Sequence, residues 1–126
     1  MSRPHGECFI TVDDDIIYIK SVGAFNLEGI IQAYQDIESI IISLGENRFK
    51  VLVDYTEIEG ATPEAFDKLN ECNEWLNSQN LIAKAVVIHS PVNLTLLESR
   101  VPARSLQNDK NFDNQSAAKE WLKQQQ

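Results

Sequence analysis

The chain has 126 residues, 43% of them apolar, and a formal net charge of −8. That length suits one domain burying about two-thirds of the surface its unfolded chain exposes. The apolar content excludes a disordered chain, and the acidity argues against nucleic acid or anionic lipid, whose phosphates need clustered basic residues. Lys84, Arg100 and Arg104 are scattered along the sequence.

Cys8 and Cys72 stand in no CxxC or Cys/His spacing, so neither a zinc site nor a disulfide framework is expected. The longest apolar cluster, IESIIISL, falls far short of the roughly 20 residues that span a bilayer. A reduced, cytoplasmic setting with no cofactor follows as the simplest expectation.

In chain order, Cys8, Ile10 and Val12 alternate onto one face, Asp13, Asp14 and Asp15 interrupt, and an apolar run resumes over 16–22. This pattern predicts a β-hairpin. The aspartates suit its turn better than a calcium loop, which needs acidic ligands at alternate positions, a central glycine and a closing glutamate.

From Asn26 the period changes to three and four. Leu27, Ile30, Ile31, Tyr34, Ile37, Ile40, Ile41 and Leu44 form one helical stripe, with Asn26 as N-cap and Gly45 as the stop. RFKVLVDY then reads as a central strand ending in a polar turn. TPEAF opens a second helix, with Thr62 as cap and Pro63 at its first position; Ala65, Phe66, Leu69, Cys72 and Leu76 are its buried stripe. LIAKAVVIH gives another central strand, Ser90-Pro91 repeats the cap-then-proline signature for a helix through about Arg100, and ARSLQND is expected as an edge strand. FDNQSAAKEWL closes the chain as a helix capped by Asp113 or Asn114. The expected fold is one α/β domain over 1–126, a mixed sheet of four to five strands with an N-terminal hairpin and about four helices.

In such a sheet, ligands bind outside the carboxyl ends of the parallel strands. One strand end delivers Asp54, Tyr55 and Thr56, followed by the Thr62 cap; the other delivers His89. An Asp orienting a His would be an acid/base pair. However, neither a GxSxG elbow nor a glycine-rich phosphate loop accompanies it, and strand-end and turn roles account for both residues.

The hairpin, the GAFNLEGI opening of the first helix, the VLVDYTEIEGATPEAF stretch, AKAVVIHS and the closing FDNQSAAKEWL together resemble the STAS superfamily. Within it they are most similar to stand-alone bacterial proteins of the anti-sigma-factor antagonist type. The resemblance implies a non-enzymatic regulatory or sensing module that binds a protein partner, such as a kinase or anti-sigma-like regulator, or a small ligand. It also implies a serine at the start of the second helix that the partner kinase phosphorylates, within Asp-Ser followed by Ser or Thr and Gly. Here the stretch is Gly60, Ala61, Thr62 and Pro63, which leaves Thr62 as the one possible phosphoacceptor. The expected contact surface is Asp54, Tyr55, Thr56, Thr62 and His89. Two alternatives stand beside it: a carrier for an apolar, lipid-like molecule, requiring a cavity of several hundred cubic ångströms beneath the helices, and a small enzyme using Asp54 and His89. An exposed sheet edge would favour a homodimer.

Overall fold

The computed structural model describes residues 3–126. Strands β1 (Glu7–Asp13) and β2 (Ile16–Phe25) form the expected hairpin, antiparallel with Asp13 opposite Ile16. Its turn holds Asp14 at φ 57°, a left-handed conformation that aspartate tolerates better than most residues. Asp15 is tied back to β3 by its carbonyl, which accepts from the Lys50 amide, and by a 3.4 Å ion pair with Lys50.

Helix α1 (Leu27–Ser43) is capped by Asn26, whose side chain accepts from the Gly29 amide, and it stops before Gly45 at φ 63°. After β3 (Phe49–Ala61) comes α2 (Pro63–Asn77), capped by Thr62; after β4 (Leu81–Val87) comes α3 (Pro91–Arg100), capped by Ser90. The chain ends with β5 (Asp109–Phe112) and α4 (Gln115–Lys123), which Asn114, not Asp113, caps.

The five strands lie in the order β1-β2-β3-β4-β5, antiparallel only in the hairpin and parallel elsewhere. Alternation along the strands divides the core in two. Ile17, Ile19, Val51, Val53 and Val86 face α1, α2 and α3, meeting Ile37, Ile41, Phe66, Leu69 and Leu97. Ile16, Leu52, Ala83, Ala85 and Val87 face the other way, where Ala118 and Leu122 of α4 cover them. The near-continuous apolar runs of β3 and β4 thus reflect burial on both faces.

Two expectations change. The polar stretch Thr56–Gly60 is not a turn: β3 continues through it to Ala61, still paired with β2 as far as Phe25, with two shifts of register, at Lys20/Val22 and at Gly23/Ala24. A strand partner supplies the backbone bonds that a turn would otherwise have to make. Secondly, the edge strand does not begin at Ala103. Pro102–Leu106 is a 3-10 turn, consistent with the fixed φ and missing amide of Pro102, and the strand starts at Asp109.

Candidate functional site

β4 ends opposite Asp54, so β2 and β3 project beyond the rest of the sheet as a two-stranded extension. Along it the expected contact residues separate. Asp54 and Thr56 share a side: Asp54 Oδ1 accepts from the Thr56 amide at 2.8 Å and from its hydroxyl at 2.7 Å. Asp54 lines a shallow depression with Lys20, Tyr18 and Gln115 of α4. Tyr55 points to the opposite face, among the residues packed against the α1–α2–α3 core. Thr62 lies eight positions past Asp54, or roughly 25 Å along an extended strand.

Asp54 and His89 are not a pair. The Asp54 oxygen is occupied by Thr56, while His89 Nε2 bonds the Asp113 carbonyl at 2.7 Å and thereby fixes the β5–α4 turn. Neither hydrogen-bonds the other. A base oriented by an acid requires that bond, so the acid/base expectation loses its geometry.

The opening of α2 is the more developed surface. Thr62 is exposed, and its hydroxyl oxygen accepts from the Ala65 amide at 3.2 Å, as an N-cap does. Arg100, at the end of α3, reaches across to this first turn. Its Nη2 donates to the Pro63 carbonyl and to Asp67 Oδ1, each at 3.2 Å, and its guanidinium lies 5.8 Å from the centre of the Phe66 ring. This neighbour is invisible in the sequence, because 37 residues separate Arg100 from Pro63 and no local period links them. A cation beside a helix N-terminus makes the region receptive to negative charge, though Glu64 and Asp67 in the same turn temper it.

Inside the fold, a narrow cavity of about 40 Å³ lies between the sheet and α1, α2 and α3. Its walls are mainly apolar, with Cys8, Ser21, Tyr34, Tyr55 and Asn93 as the polar members. Burial pushes the Tyr34 and Tyr55 hydroxyls well above their ordinary range, so both stay protonated. Burial likewise lifts the Cys72 thiol to about 12, the behaviour of a core residue and not of a nucleophile. The volume is near the share of a single water in the liquid, about 30 Å³. It is an order of magnitude below what a lipid-sized cargo requires.

No family model matches the chain, and no curated protein matches it. Solved structures do. The crystal structure of an uncharacterised protein of the DUF3478 family with a SpoIIAA-like fold, from Shewanella loihica PV-4, superposes with a TM-score of 0.66 at 22% identity, covering 97% of this chain and 98% of that one. An anti-sigma factor antagonist from Mycobacterium paratuberculosis superposes with a TM-score of 0.70 at 12% identity, covering 98% and 99%. No helix of the described residues is long and apolar enough to cross a membrane. With the hairpin, the parallel crossovers and α4 alone on its face of the sheet, the chain has the SpoIIAA-like fold.

Proposed function

We propose that the protein is a non-enzymatic regulatory module of the STAS type, binding a protein partner at the surface formed by the first turn of α2, Thr62 to Asp67, and the end of α3 at Arg100. The observation that carries this reading is the convergence of Arg100 on the Pro63 carbonyl beside an exposed, capping Thr62. The likeness of the whole chain to an anti-sigma factor antagonist supports a partner protein over a substrate. A lipid-sized cargo is not part of the reading, since the cavity holds about 40 Å³.

Thr62 is the phosphoacceptor of this surface. A phosphate there would sit at the positive end of the α2 dipole with Arg100 at hand, so phosphorylation is electrostatically tolerated by the fold while it changes what a partner meets. The hydroxyl must leave its capping bond to the Ala65 amide, but a phosphate oxygen can replace it as acceptor.

The test is affinity capture from the native host with the wild type, Thr62→Glu, Arg100→Ala and Asp54→Ala, followed by mass spectrometry of residue 62. A partner held by the wild type and Asp54→Ala but lost with Thr62→Glu and Arg100→Ala supports the assignment. Loss with Asp54→Ala alone moves the surface to the α4 side and overturns it.

A further inference from the structure

The edge strand β1 presents backbone groups that the sheet leaves unused. A two-residue turn joins β1 to β2, so Asp13 and Ile16, which face each other beside it, are a hydrogen-bonded pair. Along an antiparallel pair, bonded and non-bonded positions alternate. Asp13, Thr11, Phe9 and Glu7 therefore direct their amides and carbonyls to β2, and those of Cys8, Ile10 and Val12 point out of the sheet. β1 ends the strand order, and no turn or loop among the described residues bonds these three backbones.

Sheet edges are ordinarily blunted by lysine, proline, a bulge or shortness. The opposite edge is treated in this way: β5 is four residues long and carries Lys110. β1 is seven residues long, has neither lysine nor proline, and pairs with β2 without a shift of register. It also holds Phe9 and Val12, large apolar side chains that are 55% and 47% exposed. Phe9 stands on the α4 side of the sheet, near Tyr18 and Gln115, and Val12 on the α1 side, near Ile17 and Leu44. A strand added at this edge would cover one of them on each face.

Charge decides between a second copy and a different chain. Two copies of β1 laid antiparallel bond all three outward residues only with Ile10 opposite Ile10, which sets Cys8 against Val12 and, at both ends, Glu7 against Asp13. Shifting the pair by two residues puts Val12 against Gly6 or Cys8 against Asp14, both outside the strand. Like charges directly opposite each other destabilise a strand pair, and opposite charges stabilise it. Asp36, which lines a groove with Glu7, and Asp14, next to Asp13, add to the acidity of the two ends. In a chain of net charge −8, a second copy meets repulsion at both ends, whereas a strand with a cation at each end meets attraction. We propose that β1 is a docking edge for an extended segment of another protein, added antiparallel as a sixth strand. That segment carries apolar residues opposite Cys8, Ile10 and Val12, and lysine or arginine opposite Glu7 and Asp13. The edge shares no residue with the surface at Thr62 and Arg100, so it stands or falls independently of it.

The probe is a capped heptapeptide, lysine-valine-tyrosine-isoleucine-threonine-valine-lysine, compared with the same peptide carrying glutamate at both ends and with one carrying proline at its centre. Binding is followed by fluorescence anisotropy of the labelled peptides, and amide exchange in the protein is read residue by residue by NMR. In the dilute free protein, the Phe9 and Thr11 amides should exchange slowly and those of Cys8, Ile10 and Val12 fast. The lysine peptide should slow exchange at these three at least tenfold and leave Phe9 and Thr11 unchanged. The glutamate peptide should bind at least tenfold more weakly, and the proline peptide, which has no amide for the Ile10 carbonyl, should not bind. Glu7→Lys with Asp13→Lys, both at exposed positions, should reverse the order of the two charged peptides. Slow exchange of the three amides in the free protein overturns the proposal: if it deepens with protein concentration, a second copy takes the edge, and if it does not, the chain covers its own edge. Binding without protection of these amides moves the site off β1, and no binding at millimolar peptide refutes the edge. Equal affinity of the charged peptides, or an order unchanged by the charge reversal, overturns the partner's chemistry.

Discussion

Lys84 Nζ donates to Asn73 Oδ1 over 2.6 Å, and both residues are almost wholly buried. The same ammonium lies 3.3 Å from Asp109, whose carboxylate is also held by Arg104 at 3.0 and 3.1 Å, while Gln107 Nε2 donates to Asn73 Oδ1 at 3.0 Å. The network ties α2, β4, the 3-10 turn and β5 into one corner.

Burial pulls the Lys84 pKa from 10.5 down to about 8, outweighing the attraction of Asp109. The unfolded chain therefore holds more protons than the folded one between pH 8 and about 10, and this group's contribution to stability rises with pH across that window. The full depression corresponds to about 3 kcal/mol. Cys8 and Cys72, with thiols raised by burial, act oppositely above about pH 9, so the quantity to measure is the difference between wild type and Lys84→Met. Urea denaturation should find the wild type gaining stability relative to Lys84→Met as the pH rises from 8 to about 10, so that the gap between the two changes steadily across that window. A gap independent of pH would mean that Lys84 is not desolvated as the structure has it.

This corner also shows what a linear sequence conceals. Lys84 and Arg104 are scattered in sequence, but β4 and the 3-10 turn bring them to one carboxylate. Asp109 opens a polar four-residue strand that carries no apolar alternation, so the sequence pattern places the edge strand too early. Elements with strong periods or caps were legible: Asn26, Thr62 and Ser90 all cap their helices. Thr56–Gly60 reads as a turn because its glutamates and glycine mask a two-residue alternation, with Ile58 half-buried between exposed Glu57 and Glu59. Thr62 is the exposed N-cap that its sequence context predicts, whereas Tyr55 turns into the core, since which face a strand residue takes depends on a register fixed by β2.

Thr62→Ala removes the acceptor for the Ala65 amide and should cost about 1 kcal/mol, read as a lower urea midpoint with an unchanged slope. Thr62→Asp restores an acceptor and adds a favourable charge at the helix N-terminus, so its stability should return close to wild type. Stability and partner binding then separate: Thr62→Asp should fold like the wild type and still fail to hold the partner. If both variants are equally destabilised, Thr62 does more than cap the helix.

Asn26 carries three hydrogen bonds, and its substitutions should grade accordingly. Asn26→Ala loses all three and should cost about 2 kcal/mol, at the upper end of cap removal. Asn26→Asp keeps the acceptor for Gly29 and His5 but sets a carboxylate oxygen against the Arg3 carbonyl, so it should retain global stability while exchange at His5 quickens. Equal costs for the two would show that the bond to Arg3, not the cap, dominates.

α4 is nine residues long and would be marginal alone in water. Its docking rests on Leu122 and Ala118, neither exposed to solvent, with Trp121 beside Phe112 at 5.6 Å between ring centres. Leu122→Ala should therefore cost about 3 kcal/mol through lost transfer energy and the space left over Leu52 and Ala85. Because His89 holds the β5–α4 turn through the Asp113 carbonyl, loosening α4 should also free the His89 ring, visible as a change in its imidazole resonances. Trp121→Phe keeps an aromatic against Phe112 and should cost less than half as much. A Leu122→Ala chain as stable as the wild type would mean that the second face of the sheet is sealed by something other than α4.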